Sequence, residues 1–168
     1  MLRKSIVLSV LMALMCAPLF AEVDPGDRAP GFELFGVDYT YHSLEDYADS
    51  KAIVVVFTCN HCPVAKAYED KLVALGNEYQ AKGIQFLAVN PNPADKVPAD
   101  GFPQMRQRAK EKDFPYPYLY DETQKVARAY GAKVTPHIFV VQYKRQDDER
   151  VPKVVYEGAV DNRHNDPD

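Results

Sequence analysis

The feature that most restricts the fold is an unbroken apolar run, Ala52–Phe57. A strand with one face in water alternates apolar and polar residues, whereas a continuous run of Val, Ile and Phe is typical of a strand covered on both faces. We therefore expect a sheet with helices packed on both of its sides. The run leads directly into Thr58 and then Cys59-Asn60-His61-Cys62, which holds two of the chain's three cysteines.

A helix is predicted directly after this cysteine motif. Apolar residues recur at steps of four and three, at Val64, Tyr68, Leu72, Leu75 and Tyr79. Such a stripe is typical of an amphipathic helix with one buried face, and Gly83 marks its end. The cysteine motif is thus predicted at a strand-to-helix junction.

Turn residues and apolar patterns divide the remaining chain into short elements. The predictions are a hairpin from residues 32–35 and 39–41, a brief helix capped by Ser43, a buried strand at 84–89, a helix from Phe102 to before Lys112, a helix from an Asp121/Gln124 capping box to Tyr130, and a hairpin of strands 137–141 and 153–156 around a charged turn at 144–150. This order predicts an α/β fold with a mixed central sheet, parallel across the helical connections and antiparallel in the hairpins.

The first residues have the order of a secretory signal peptide. Arg3 and Lys4 precede an apolar run at residues 6–14, and small residues lead to Ala21. The run is shorter than the roughly 20 residues that a spanning helix needs, so cleavage after Ala21 is expected. An uncleaved anchor is the alternative. After cleavage no stable membrane span is expected, and the protein is expected to be periplasmic or secreted.

The chain of 168 residues is expected to form one domain after this leader. The predicted division is a signal peptide at 1–21, one domain at 22–160 and a polar tail at 161–168. With 20 Lys and Arg against 24 Asp and Glu, and no basic block among aromatic residues, the sequence lacks the features of a nucleic-acid-binding protein.

Cleavage would also remove Cys16 and leave Cys59 and Cys62 as the only thiols in an oxidising compartment. Cysteines three residues apart close too short a loop to stabilise a fold much, because the entropic gain grows with loop length. The pair is therefore predicted to act chemically. Cys59, placed at or before the helix N-terminus, is expected to have a lowered pKa, to which His61 could contribute a positive charge or a hydrogen bond. A solvent-facing His61 without a role is the alternative.

Other uses of a Cys-x-x-Cys motif fit less well. Structural zinc requires two more ligands, and His42, His137 and His164 form no second pair at ligand spacing. Covalent haem attachment requires histidine where the chain has Pro63. No bound cofactor is expected.

Four segments, at residues 57–63, 88–92, 118–124 and 130–136, together resemble the peroxiredoxin-like redoxin branch of the thioredoxin superfamily. The resemblance implies a thioredoxin-like fold with an added N-terminal hairpin, and a thiol-disulfide oxidoreductase that exchanges electrons with protein thiols and disulfides. It implies that Cys59 attacks and Cys62 resolves the mixed disulfide. It also implies that Pro136 is a cis-proline facing the pair, with Thr135 offering backbone hydrogen bonds to an extended substrate segment.

The sequence also departs from relatives of this branch. Peroxidase members carry Pro-x-x-x-Thr-x-x-Cys and an activating Arg, where this chain has Val54 four residues before Thr58, and Thr135-Pro136. A thiol peroxidase is therefore the weaker alternative. Relatives continue into a C-terminal helix after the strand at Val154, and this helix is expected to be missing here.

A second alternative is a copper-binding or copper-delivery protein of the same fold, with Cys59, Cys62 and His137 as ligands. Such proteins resemble this chain in their donor set but space their cysteines by three residues rather than two. A third alternative is a domain whose cysteine pair is only a sealed disulfide.

Overall fold

The structure is a computed structural model that describes residues 23–161. The predicted signal peptide and all but the first residue of the predicted tail lie outside this range. Among the described residues, no helix is both long and apolar enough to cross a membrane.

A mixed sheet of seven strands forms the centre of the described fold. Its strands are β1 Glu33–Gly36, β2 Tyr41–Ser43, β3 Ala52–Phe57, β4 Ile84–Asn90, β5 Tyr118–Tyr120, β6 His137–Gln146 and β7 Glu149–Gly158, in the spatial order β2-β1-β5-β4-β3-β6-β7. The helices are α1 Pro63–Gln80, α2 Phe102–Glu111 and α3 Lys125–Tyr130, with single 3₁₀ turns at Glu45–Tyr47 and Pro98–Asp100. The predicted α/β class and N-terminal hairpin are confirmed, and within the described residues no helix follows β7.

The strand directions at the centre of the sheet agree with the prediction, and the sheet contains one further strand that was not predicted. β3 and β4 are parallel, and β6 pairs antiparallel with β3. β5, which the sequence pattern does not predict, lies parallel to β4 and antiparallel to β1. This strand has only three residues and follows Pro115 and Pro117, so its sequence shows no alternation of apolar and polar residues that would predict a strand. Its partner β4 supplies the pairing that makes it a strand.

Both faces of β3 are covered, as its apolar run predicts. Ile53, Val55 and Phe57 pack in one buried cluster that includes Tyr130 of α3. Val56 points into a second cluster, which includes Leu72 of α1 and Met105 of α2. The sheet therefore lies between α3 on one side and α1 and α2 on the other, with the end of β3 held from both sides.

Two local predictions are wrong in detail. The buried face of α1 contains Tyr68 and Leu72 as expected, but Val64 is 47% exposed. The capping box does not form, because Gln124 takes a left-handed conformation (φ 59°) and α3 begins only at Lys125. Asp121 instead accepts the backbone N–H of Ala127 at 2.8 Å.

The hairpin of β6 and β7 is longer than the sequence pattern indicates. Most of the predicted charged turn at 144–150 belongs to the two strands, and the reversal itself takes only Asp147 and Asp148, both with positive φ. Lys144 pairs with Val151 in the ladder. Near the N-terminus, the predicted cap forms as a reciprocal pair, because the Ser43 and Asp46 side chains each accept the other residue's backbone N–H.

Candidate active site at the cysteine pair

The cysteine motif lies between the end of β3 and the start of α1. Cys62 is the residue directly before the helix, and Pro63 occupies the first helical position, where the missing N–H costs nothing. Both Cys59 and Cys62 are free thiols. The predicted strand-to-helix position of the motif is confirmed.

Cys59 is the buried member of the pair, with 2% of its surface exposed. Its Sγ lies 3.3 Å from the Thr135 hydroxyl. Burial raises the pKa of the Cys59 thiol, and the nearby Asp100 carboxylate raises it further. The prediction of a lowered Cys59 pKa is therefore wrong. The physical reason is that the Cys59 side chain is almost fully buried, and this desolvation outweighs the hydrogen bonds from the Thr135 hydroxyl and the Cys62 backbone that would lower the pKa.

Cys62 is half-buried and has the opposite electrostatic environment. Burial by itself would raise the pKa of Cys62, but hydrogen bonds from the backbone N–H groups of Ala65 and Val64, and one with the Thr135 side chain, outweigh it and lower the pKa. These N–H groups belong to the first turn of α1, which has no earlier carbonyls to bond. Cys62, rather than Cys59, thus receives the stabilisation that a helix N-terminus gives a thiolate.

Thr135 contacts both sulfurs. Its hydroxyl faces Cys59, and its backbone carbonyl lies 3.6 Å from the Sγ of Cys62, which donates to it. The Thr135–Pro136 peptide bond is cis, as the resemblance implies. This segment leads into β6, whose pairing with β3 (His137 opposite Phe57) fixes it beside the motif.

Asp100, which no sequence motif indicates, anchors the cysteine motif from a different segment of the chain. Its carboxylate is fully buried and accepts the backbone N–H of Asn60 at 2.6 Å. The other carboxylate oxygen lies 2.5 Å from His61 Nδ1 and 2.7 Å from Asn92 Nδ2. Asp100 comes from the 3₁₀ turn between β4 and α2, and no spacing in the sequence links it to the cysteines.

The polar groups beside Asp100 are also bonded within the protein. Asn60 donates from its side chain to the carbonyl of Ala99 at 2.9 Å and accepts the Tyr118 hydroxyl at 3.0 Å. The turn that joins the two cysteines is therefore held by buried hydrogen bonds on several sides. Such a network keeps the two sulfurs in a defined relation to each other.

The predicted copper ligands are not brought together. Within residues 23–161, one trio of His, Cys, Asp or Glu side chains has ligand atoms within 4.8 Å of one another, and it is Cys59, His61 and Asp100. His137 lies outside this trio. Its Nε2 lies 2.6 Å from Glu157, and its Nδ1 accepts the N–H of Lys133 at 3.4 Å. The expectation of His137 as a third ligand to the cysteine pair is corrected accordingly.

Two cavities flank the Thr135 segment and differ in chemistry. One, of about 320 Å³, includes His61, Asn92, Gln124, Arg128 and Lys133 in its walls. The other, of about 530 Å³, is lined by Cys62 and mainly apolar residues. Cys62 is thus the sulfur that reaches an open groove, whereas Cys59 lines neither cavity.

The chain is similar to known proteins in sequence and in fold. The sequence pattern of the AhpC/TSA family matches residues 25–146. An uncharacterized conserved protein from Geobacillus kaustophilus is similar in structure, with 41% sequence identity and a TM-score of 0.75 over 83% of this chain and 70% of the other. A hypothetical protein from Sinorhizobium meliloti has 31% identity and a TM-score of 0.74 over 84% and 74%.

A further similar structure has a named activity. It is a putative thiol:disulfide interchange protein, DsbE, from Chlorobium tepidum, with 25% identity and a TM-score of 0.61 over 82% of this chain and 86% of the other. No curated protein matches the chain.

Proposed function

The chain belongs to the AhpC/TSA family of thioredoxin-fold redoxins, and from that premise we propose that it exchanges electrons with protein disulfides through Cys59 and Cys62. The observation that carries the proposal is the pair of free thiols at the start of α1, with both sulfurs in contact with Thr135. One thiol is buried with a raised pKa and the other reaches a groove with a lowered pKa. That division of roles is what two-step thiol exchange requires.

Cys62 is the attacking thiol in this proposal, in contrast to the order that the family resemblance implies. A thiolate is the nucleophile, and Cys62 has the helix N–H groups that stabilise one. Cys62 also lines an open groove, whereas Cys59 is buried. Both charge and access therefore favour Cys62 for the first step.

The exchange then proceeds in two displacements. The Cys62 thiolate attacks one sulfur of a partner disulfide, the partner's S–S bond breaks, and the departing partner sulfur leaves as a thiolate that takes up a proton. The Cys59 thiol next loses its proton and attacks the Cys62 sulfur, which releases the partner's second sulfur. Two electrons pass to the partner, and the protein is left with a Cys59–Cys62 disulfide; the same steps run backward to oxidise a partner dithiol.

We also propose that the protein works in an exported compartment. The charge, apolar run and small residues of positions 1–21 support this. Thiol pairs in such compartments act on the disulfides of exported proteins, which are the proposed partners.

Insulin reduction tests the proposed activity directly. The reduced protein, given excess dithiothreitol, should accelerate precipitation of insulin chains, and after one turnover without reductant it should carry one intramolecular disulfide by mass spectrometry. A variant with both Cys59→Ser and Cys62→Ser is the control and should not exceed the uncatalysed rate. A wild-type rate equal to that control would contradict the proposal and favour a sealed disulfide.

A further inference from the structure

Three side chains that can bind a metal ion meet at the cysteine motif. They are Cys59, His61 and Asp100, and one ligand atom from each lies within 4.8 Å of the other two. Within this trio, the Asp100 carboxylate lies 2.5 Å from His61 Nδ1. Cysteine sulfur, imidazole nitrogen and carboxylate oxygen are the three ligand types that Zn²⁺ takes in proteins. The trio therefore has the donor set of a zinc site.

The charges of the trio suit a divalent cation. Asp100 is fully buried, and among residues 23–161 the basic side chain that pairs with it is His61. A Cys59 thiolate would place a second negative charge within 4.8 Å of the Asp100 carboxylate. Two anions repel each other strongly in the protein interior, where buried charges are stable only if they are paired or bind a metal. One Zn²⁺ bound by Cys59, Asp100 and a neutral His61 leaves the site without net charge.

Neighbouring groups hold two of the three side chains in position. The Asn60 backbone N–H donates to one oxygen of Asp100 at 2.6 Å, and the Asn92 side chain donates to the other oxygen at 2.7 Å. The Thr135 hydroxyl lies 3.3 Å from the Cys59 sulfur. In metal sites, hydrogen bonds of this kind orient the ligands and are nearly as important as the ligands themselves. The carboxylate and the thiol are thus oriented before an ion arrives.

The ligand atoms need only small shifts to surround the ion. Zinc bonds of about 2.0–2.3 Å in tetrahedral geometry place ligand atoms about 3.4–3.6 Å apart, so His61 and Asp100 must separate by about 1 Å. His61 is free to make this shift, because 45% of its side-chain surface is exposed. It also lines the cavity that contains Asn92 and Arg128, which gives the ion a route from solvent.

We propose that the reduced protein binds one Zn²⁺ through Cys59, His61 and Asp100, with water at the fourth position. The ion replaces the proton of the Cys59 thiol, and that proton is released to solvent. Cys62 lies outside the trio and can still attack a partner disulfide, but the zinc-bound Cys59 is no longer available to resolve the adduct. The disulfide form that exchange produces has no Cys59 thiolate and does not hold the ion. Metal binding stands without the proposed thiol exchange, whereas its blocking effect rests on that exchange.

Competition with a coloured chelator measures the binding. The full chain with Cys16→Ser, so that Cys59 and Cys62 are the only thiols, is reduced, freed of reductant and titrated with Zn²⁺ against pyridylazoresorcinol without oxygen. The reduced protein should withdraw one equivalent of Zn²⁺, and the disulfide form should withdraw none. Co²⁺ in place of Zn²⁺ should give the visible bands of a tetrahedral site and a thiolate-to-cobalt charge-transfer band. Binding no stronger than that of a protein without Cys59 and Cys62 would overturn the proposal.

Variants separate this site from a chelate formed by the two cysteines alone. Asp100→Asn and His61→Ala should each lower the zinc affinity about tenfold or more, and Cys62→Ser should change it less than about threefold. His61 is exposed, so its replacement tests the site even where Asp100→Asn disturbs folding. Asp95→Asn, at an exposed carboxylate between β4 and α2, is the matched control and should keep the affinity. Unchanged affinity in His61→Ala, or loss of binding in Cys62→Ser, would overturn the proposal.

A coloured disulfide measures the effect on exchange. With dithiobis(nitrobenzoate), the first coloured thiolate is released when Cys62 attacks and the second when Cys59 resolves the adduct. Saturating Zn²⁺ should keep the first release and slow the second by about tenfold or more, and His61→Ala should abolish this slowing. An unchanged second release would overturn the proposed block. Absence of both releases without zinc would instead contradict the proposed thiol exchange, and the zinc titration would still decide the metal site.

Discussion

The buried carboxylate of Asp100 lies 2.5 Å from Nδ1 of His61, a residue of the turn that joins the two cysteines. Asp100 also holds the backbone N–H of Asn60. Its negative charge adds to burial in raising the pKa of Cys59. One residue thus fixes the shape of the motif and helps to keep Cys59 as a thiol while Cys62 is free to ionise.

Replacing Asp100 should lower the pKa of Cys59. In a Cys62→Ser background, where Cys59 is the remaining active-site thiol, Asp100→Asn removes the negative charge that opposes thiolate formation. The midpoint of the Cys59 titration, followed by thiolate absorbance, should therefore move to lower pH than in the Cys62→Ser parent.

Asp95→Asn in the same background is the matched control, because its exposed carboxylate belongs to the same connection between β4 and α2. That change should leave the midpoint in place. An unchanged or higher midpoint for Asp100→Asn, in a protein with native circular dichroism, would show that Asp100 does not act on Cys59 through its charge.

The rate of alkylation should depend on pH differently for the two cysteines. Cys62 has a lowered pKa, so in a Cys59→Ser variant its reaction with iodoacetamide should rise with pH around a midpoint below about 8.5, the value of an ordinary thiol. Cys59, with a raised pKa, should show a midpoint above that value in the Cys62→Ser variant. The reverse order of the two midpoints would contradict the electrostatic argument.

Hydrogen peroxide should be a poor substrate. Thr135-Pro136 stands where peroxidase relatives have an activating arginine, and the groove at Cys62 has no charged residue in its walls. Stopped-flow oxidation of the reduced protein should be no faster than that of an ordinary thiol of the same pKa. A much faster reaction would contradict this prediction and favour a thiol peroxidase over a thiol-disulfide oxidoreductase.

A largely buried ion pair links α1 and α2. Glu69 is 4% exposed and receives two hydrogen bonds from the guanidinium of Arg108. Arg108→Ala leaves this carboxylate buried without its partner and should lower the free energy of unfolding by about 2–3 kcal/mol in urea titrations. Lys112→Ala, which removes the partner of the 82%-exposed Asp70, should change it by less than about 1 kcal/mol.

An element could be predicted from the sequence where one continuous segment shows by itself how the element is buried. The run Ala52–Phe57 carries its own evidence of burial on both faces, and the motif after it could be placed at a strand end. β5 could not be found, because its three residues become a strand only through pairing with β4.

The residue at which α1 begins decides which cysteine thiol the helix N–H groups stabilise. The sequence pattern predicts Cys59 at or before the helix start, but α1 begins at Pro63, and the Cys62 thiol receives the N–H groups of Val64 and Ala65. Asp100 is separated from Cys59 by 41 positions and reaches it only through the folding of the connection after β4. A pattern confined to neighbouring residues cannot show such a contact.

Trapping of mixed disulfides tests the central claim, that Cys62 attacks first and Cys59 resolves. With Cys59→Ser, Cys62 can still attack a partner disulfide but the adduct has no resolving thiol; with Cys62→Ser, the remaining thiol is buried. The two single variants and the double variant are expressed with residues 1–21 intact and compared on non-reducing gels. If Cys62 attacks first, Cys59→Ser should form higher-mass adducts that dithiothreitol removes, and Cys62→Ser and the double variant should form few. Adducts mainly from Cys62→Ser would contradict this order of attack.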